Sequence, residues 1–440
     1  MVWLAAELAS QRATIADLTT QLGTILAAAE ETPAGDEPGG RRPPGMPGLK
    51  PTQPRRRPPR PRTPRAHGFA RRRLPPTHRV EHALARCPRR GEALAGGTIK
   101  RTREVIELPA VPAVGTEHVY RERRCRGCGH RAVPVPGLTG VVVGQQRLGL
   151  GLVGLIATLR EELRLPIARI QWYLHTRHDL ALSSGAIMGA CRTVAAQAQP
   201  VVAQIHADIR DSPVVHADET GWRENGRNGY VWSFSTPTHR AFVRGGRDKG
   251  MLSAALGDEF AGVLVSDFYG VYTGYEGRHQ YCWAHLLRDI HDLTQQYPRS
   301  PSVRGWSTLV HDIYERATAF ADPDPVARRR AQQTFERELL AVCQPYLDEP
   351  GAPQRTLCRR IEKYLPELFV FVTDPAVPAT NNAAERSLRH LGTCRKISGG
   401  TRSPAGTSTK MTLASLFGTW RAQGLNPLAQ CRQLLAAPQL

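Results

Sequence analysis

Three acidic residues hold the sequence's strongest potential for chemistry: Asp218, Asp267 and Glu385. Asp218 ends the run Pro213-Val-Val-His-Ala-Asp218, and Asp267 ends Gly262-Val-Leu-Val-Ser-Asp267. In both, β-branched and aliphatic residues read as a buried strand, with the aspartate where the strand runs out. A carboxylate there is fixed in place yet open to solvent. If adjacent strands bring the two together they repel strongly, and a divalent cation between them relieves the repulsion. All-oxygen donors suit Mg²⁺ or Mn²⁺, whereas zinc favours His and Cys. Taken singly, each aspartate is as readily a turn residue at a strand end. Glu219 follows Asp218 directly, but alternation along a strand turns it to the other face. Glu385 lies 118 residues beyond Asp267 and is the only acid from Pro375 to the C-terminus, among eight Lys or Arg. It is either a third metal ligand or a counter-charge for Arg386 and Arg389.

The elements that must position these residues follow from patterning. Val214–Ala217 leads into Asp218, residues 229–235 alternate with period two, and His239–Arg244 follows a short turn at Pro237. A helix from Lys249 to Leu256 then precedes the Val263–Val265 strand. Antiparallel strands, a crossover helix and a further strand make up the RNase H-like order, in which the first and fourth strands are neighbours. Residues 296–378 read as helices, for instance Arg328 to Cys343 and Arg355 to Glu367, inserted before the last acid. Thr380 or Asn381 can cap a helix whose first turn carries Glu385.

The N-terminal half reads as a series of modules. Residues 1–30 carry a heptad pattern (Leu4, Leu8, Ile15, Leu18, Leu22, Ile25), which suits a self-associating coiled coil or a helix packed on its own chain. Residues 31–79 form a Pro/Arg-rich basic linker that the composition reads as disordered. Within it, residues 41–73 hold twelve Arg or Lys, nine Pro and no acid, suited to salt-sensitive phosphate contact or to a solubilising spacer. Residues 80–136 form a small zinc-finger-like module. Cys125-Arg-Gly-Cys128-Gly is half a zinc knuckle, but its partner half, Cys87-Pro-Arg-Arg90-Gly, has arginine where a fourth cysteine belongs. Either a histidine (His82, His118 or His130) joins Cys87, Cys125 and Cys128 around zinc, or the module folds without metal. Residues 137–210 read as helices, including Gln146 to Arg164 and Leu182 to Ala195. Ser183 or Ser184 caps the latter, which together with the short helix from Ile167 to Leu174 before it fits a helix-turn-helix whose second helix enters the major groove, although any αα-hairpin shares the pattern.

The whole 440-residue chain carries a formal net charge of +20, which points to a polyanionic partner, nucleic acid before an anionic membrane. Nine cysteines without framework spacing, and no signal-peptide pattern, suggest a reducing cytoplasm. The apolar stretch from Gly137 to Leu159 is broken by Gln145, Gln146 and Arg147, against a membrane span. Cys282-Trp-Ala-His285 could ligate zinc, orient a DNA strand, or simply pack Trp283 in the core. His285, Arg288, Arg386, Arg395 and Lys396 are candidates for contact with DNA or the active site, the last two also reading as ordinary surface charge.

His216-Ala-Asp218-Glu-Thr-Gly-Trp222, Ser266-Asp267-Phe-Tyr-Gly270, Tyr281-Cys-Trp-Ala-His285-Leu-Leu-Arg288 and Asn381-Asn-Ala-Ala-Glu385-Arg386 together resemble the transposases of the insertion sequence 66 family. Gly399-Gly-Thr-Arg-Ser-Pro-Ala-Gly406 and the Met411–Ala422 helix resemble that family's C-terminal part. The resemblance implies a multidomain α/β protein with an RNase H-like mixed-sheet catalytic domain in two parts, residues 211–295 and 379–425, split by the helical insertion and followed by a tail over residues 426–440. It implies a DDE triad of Asp218, Asp267 and Glu385 holding two Mg²⁺ or Mn²⁺ ions. It also implies cleavage at the element's terminal inverted repeats and transfer of the freed 3′-OH into target DNA by a homo-oligomer, with or without accessory proteins, on a bacterial nucleoid. The competing readings are a non-catalytic DNA-binding regulator or decayed transposase, and an RNase H-like repair nuclease. Arg90 departs from the family's zinc module.

Overall fold

The computed structural model of the chain describes residues 75–106, 108, 111–134, 137–248 and 250–437. The heptad helix expected over residues 1–30, and the basic linker up to residue 74, lie outside them. Residues 75–106 belong to one unit and the remainder to a second.

In the first unit the backbone turns tightly at Cys87–Gly91. The Cys87 amide donates to the Glu92 carbonyl and the Gly91 amide to the Cys87 carbonyl, each at 2.8 Å. The second unit contains the same turn at Cys125–Gly129, between the short strands β1 (Arg123–Arg124) and β2 (Arg131–Ala132). There the Cys125 amide donates to the His130 carbonyl and the Gly129 amide to the Cys125 carbonyl, at 2.7 and 2.9 Å. Gly91 and Gly129 both sit at φ 73, the left-handed region that a side chain resists. The two halves that look alike in sequence therefore fold alike, with Arg90 standing at the place of Cys128.

Helices follow. α1 (Leu150–Glu161), α2 (Ile167–His178), α3 (Ser184–Gln197) and α4 (Gln199–Arg210) precede the sheet. α1 is shorter than the expected run from Gln146 to Arg164: it starts after the bends at Gly140 and Gly144, and Arg164 has a left-handed φ of 58. The Ser183 hydroxyl caps α3 by accepting from the Ala186 amide at 3.1 Å.

The sheet is mixed and five-stranded, built from β3 (Val214–Glu224), β4 (Arg227–Ser235), β5 (Arg240–Gly245), β6 (Val263–Ser266) and β7 (His279–Tyr281), in the order β5-β4-β3-β6-β7. β3, β4 and β5 are antiparallel neighbours, while β6 runs parallel to β3 and β7 parallel to β6. The β3–β4 hairpin closes on Asn225–Gly226, both at positive φ (48 and 77), the backbone that a two-residue hairpin turn requires. This turn corrects one expectation. β3 does not run out at Asp218; it leaves β6 at His216 but stays paired with β4 as far as Glu224.

Each face of the sheet carries a core. Val215, Ala217, Trp232, Phe234 and Leu264 pack with α1, α3 and α4 and with α12 (Pro404–Ala422), and include α5 (Gly250–Leu256). Val214, Val263, Val265 and Tyr281 pack instead with α6 (Trp283–Gln296), α7 (Pro301–Ala319), α8 (Pro325–Leu347), α9 (Arg355–Lys363) and α10 (Val370–Thr373). The helical segment inserted between Asp267 and Glu385 thus shares a core with the strand that delivers Asp267. α11 (Asn382–Ser398) lies along β3 and β4 through a smaller cluster, Trp222, Val231, Leu388, Leu391 and Cys394. Residues 427–436, expected as tail, form α13 (Pro427–Ala436), whose Cys431 and Leu435 are buried in the first core with α1 and α3. Among the described residues no helix is long and apolar enough to cross a membrane.

Candidate active site

Strand register brings the first two acids together. His216 pairs with Val265 across the parallel β3–β6 contact, and Asp218 and Asp267 each lie two residues further on. Residues two apart share a face, and parallel neighbours are about 4.8 Å apart, so the two carboxyl groups leave the sheet side by side. Each is held by a local turn: the Asp218 Oδ1 accepts from the Glu219 amide at 2.8 Å, and the Asp267 Oδ1 from the Tyr269 amide at 2.9 Å.

Glu385 reaches the same face from α11, whose first turn it occupies. That helix is fixed at both ends. At its start Asn381 is fully buried, and it does not cap the helix with its side chain as expected. Its Oδ1 instead meets His216 Nδ1 at 3.0 Å and its Nδ2 donates to the Ala217 carbonyl at 2.6 Å, while its amide donates to Cys282 Sγ at 3.0 Å. One side chain thus ties the helix start to the strand residues just before Asp218. At the far end Gly399 turns into the left-handed region (φ 68) and Gly400 passes so close to Arg223 that a Cβ would collide with its carbonyl oxygen. Thr401 then pairs with the end of β3, its amide donating to the Arg223 carbonyl at 2.9 Å and its hydroxyl accepting from Trp222 Nε1 at 3.1 Å.

Electrostatics carry the mark of this crowding. Burial, then the neighbouring Asp267 and Glu219 carboxylates and more weakly Glu385, push the Asp218 carboxyl up to about 7, against a small opposing effect of the Glu219 amide. Burial drives His216 below the ordinary imidazole range, consistent with a neutral ring paired to Asn381. Among the described residues no three His, Cys, Asp or Glu side chains are gathered closely enough to enclose a metal. Register makes Asp218 and Asp267 neighbours, α11 carries Glu385 to the same face, and the three are not drawn onto one point.

The other candidates divide. His285, on the first turn of α6, places Nε2 3.6 Å from Glu385 Oε1, and its Nδ1 is buried with no partner among the described residues. Trp283 is buried in the core and donates to the Leu368 carbonyl at 2.5 Å. Arg395 is engaged internally, donating to Thr220 Oγ1 at 3.1 Å and to the Gly221 carbonyl, so it fastens α11 to β3. Arg288, Arg386 and Lys396 are exposed. Cys125 and Cys128 are exposed on their turn, where the backbone of Cys128 and then Gly127 hold the Cys125 thiol below its usual range.

Sequence reasoning misses three features of this site. Glu219, on the opposite face of β3 as alternation requires, has a buried side chain that accepts from the Tyr272 hydroxyl at 2.9 Å and from Arg247 at 3.0 Å. The Arg247 guanidinium lies between the rings of Tyr269 and Tyr230, 3.9 and 4.8 Å from their centres. Tyr269 supplies the amide that holds Asp267, so this stack supports the Asp267 turn from below. The second is the Asn381 clamp, whose only trace in the sequence is an Asn-Asn pair before a helix. The third is a buried charge cluster under α11: Lys410 Nζ meets Glu161 Oε2 at 2.6 Å and Cys394 Sγ at 3.3 Å, and His390 Nε2 lies 3.6 Å from the same Glu161 oxygen. Burial alone would raise Glu161, but Lys410 and His390 hold it at about 2. No pattern in the sequence joins residues 249 positions apart.

A family model described as the transposase IS66 family matches residues 146–409, more than half of the chain. An uncharacterised protein of Sinorhizobium fredii, y4jO, is 29% identical over 172 residues, which are 39% of this chain and 50% of that relative. The chain thus spans about half the length of the curated relative it matches.

Proposed function

The chain belongs to the IS66 family of transposases, and on that premise we propose that it is a DDE transposase with an RNase H-like catalytic domain, cutting DNA at the ends of its element and joining the freed 3′-OH to target DNA. The observation that carries the reading is the juxtaposition of Asp218 and Asp267 by parallel register, with Glu385 held over the same face by a helix clamped at both ends. The sheet order supports an RNase H-like description, since the first and fourth strands of the sheet are neighbours.

The donor set fits divalent magnesium or manganese. Asp218, raised to about 7 by burial and by its acidic neighbours, belongs to a site short of positive charge, and its donors are all carboxylate oxygens. Asp218, Asp267 and Glu385 would hold two such ions. Bound there, they would supply an activated oxygen nucleophile and neutralise charge on the scissile phosphate. The chain's own residues do the rest. Asn381 sets the height of Glu385 above Asp218. The Arg247 stack holds the Asp267 turn. His285, with a free Nδ1 and with Nε2 toward Glu385, orients that carboxylate or meets a phosphate oxygen at the mouth of the site. Arg288, Arg386 and Lys396 line the approach as phosphate contacts, whereas Arg395 acts from inside.

The remaining parts take their places in the same reading. Residues 1–30 pair protomers, residues 31–79 contact phosphates, residues 80–136 and 137–210 bind DNA, and the catalytic domain spans 211–295 and 379–425 around the insertion at 296–378. The protein acts as a homo-oligomer on the nucleoid in the cytoplasm. The test is direct: with Mg²⁺ and a fragment bearing the inverted repeats that flank its gene, the purified protein nicks at the 3′ end of the element. Binding to that fragment without any cut in Mg²⁺ or Mn²⁺ would instead make it a non-catalytic DNA-binding regulator.

A further inference from the structure

The helix-turn-helix pattern assigns DNA contact to its second helix, α3, and leaves α2 without a role of its own. α3 buries one side, with Ile187, Ala190, Cys191, Thr193, Val194 and Ala195, and exposes Ser184, Gly185, Arg192 and Ala196. Its exposed side offers one cation, Arg192, and no aromatic ring. α2 is different. Ile170 and Leu174 anchor one side, and the opposite side is open, with Ala168, Arg169, Trp172, His175 and Thr176 exposed. These residues are three or four apart and so share one face.

Trp172 stands at the centre of that face with 59% of its surface exposed, whereas the other described tryptophans are at most 6% exposed. Leaving an indole in water forgoes the burial that every other one of these obtains. The helix beneath it is rigidly placed. Gln171 Nε2 donates to the Leu182 carbonyl at 2.8 Å, His178 Nδ1 meets the Val111 carbonyl at 2.7 Å, and the Ala113 amide donates to the His178 carbonyl at 2.8 Å. Ala168, one turn before Trp172, is exposed and carries only a methyl group. Arg169 is the cation on this face, and α2 itself holds no acid.

We propose that this face of α2 binds single-stranded DNA, with Trp172 stacking on an unpaired base and Arg169 on the adjoining phosphate. The proposal rests on the reading of the protein as a DNA-cutting enzyme, since such an enzyme meets unpaired nucleotides at the end it opens. An indole stacks on any base, and the loss of one such platform weakens single-strand binding by about tenfold. Duplex DNA hides its base faces, so it gains only the phosphate contact.

The experiment compares full-length wild type, Trp172→Ala and Trp172→Phe for binding to labelled single-stranded and duplex oligonucleotides of one mixed sequence, by anisotropy, together with tryptophan emission. Wild-type emission falls when the single strand binds. Trp172→Ala weakens single-strand binding about tenfold while changing duplex binding less than about twofold, Trp172→Phe retains most of it, and both variants lose most of the emission change. All three unfold at the same temperature, because the site is on the surface. Three outcomes overturn the proposal: unchanged single-strand affinity in Trp172→Ala, equal losses for single strand and duplex, or a change in sedimentation that makes this face a contact between copies. If wild type binds neither DNA, the DNA reading itself fails, which is a separate result.

Discussion

Replacing Asn381 with alanine isolates what the clamp contributes, because the backbone contact to Cys282 Sγ survives and only the two side-chain bonds disappear. His216 Nδ1 and the Ala217 carbonyl are then left buried without partners at positions where Asn381 now stands at 3.0 and 2.6 Å. An unsatisfied buried polar group costs about 1–3 kcal/mol, so the pair costs about 3 kcal/mol after partial relaxation. For a structured region of this size that lowers the melting temperature by roughly 4 °C. The effect on catalysis is larger than the effect on folding. Glu385 is one turn along from Asn381, and a carboxylate displaced by about 1 Å loses on the order of a hundredfold in rate. Asn381→Asp is the sharper companion: it keeps an acceptor for a protonated His216 Nδ1 but sets an anionic oxygen against the Ala217 carbonyl, and it falls below alanine in stability. Differential scanning calorimetry and a DNA-nicking time course measure both quantities. Asn381→Ala with wild-type melting and wild-type nicking would refute the idea that this residue sets the position of Glu385.

Three further outcomes follow from the same structure. Asp218, raised from 3.8 to about 7, is protonated in the folded state over a range where the unfolded chain is ionised, so stability falls as pH rises between those values. In chelator, Asp218→Asn therefore melts above wild type at pH 8 by the equivalent of up to about 4 kcal/mol and matches it near pH 4, which a pH series of melting curves checks. Lys410→Met strands Glu161 as a buried charge and destabilises by about 3–5 kcal/mol, whereas Lys410→Met with Glu161→Gln recovers most of that stability in urea unfolding. The Glu161 contribution itself is present above its unfolded value of 4.5 and disappears as pH falls through about 2. Deleting residues 41–73, with their twelve Arg or Lys, flattens the dependence of DNA affinity on salt, because every phosphate that the shortened protein no longer neutralises keeps its condensed counterion.

How much of the fold and the site is legible in the sequence depends on whether the cause is local. The strands around Asp218 and Asp267 are readable because their buried faces demand β-branched and aliphatic runs, and strand order then makes the two acids neighbours. The Asn225–Gly226 turn that carries β3 past Asp218 is readable in principle, since Asn-Gly between two strands is a strong hairpin signal. The polar residues from Asp218 to Gly221 hide it by breaking the apolar run at the acid. Asn381 reads as a helix cap because capping is what asparagine does locally; its use against His216 depends on a partner 165 residues away. Arg395 reads as surface charge for the same reason, and its bonds to Thr220 and Gly221 exist only once α11 lies on β3. α13 has a short apolar pattern that becomes core only because α1 and α3 offer it a groove. The twin turns at Cys87 and Cys125 are local, and there the sequence pattern and the structure coincide.

The most direct test of the central claim is cleavage of element-end DNA in Mg²⁺ by wild type and by Asp218→Asn, Asp267→Asn and Glu385→Gln, each with its DNA affinity measured in parallel. The three carboxylates acting as one site predict that every variant loses about a thousandfold or more in cutting while its affinity for the same DNA stays within about twofold. Wild-type cutting by all three variants would contradict it.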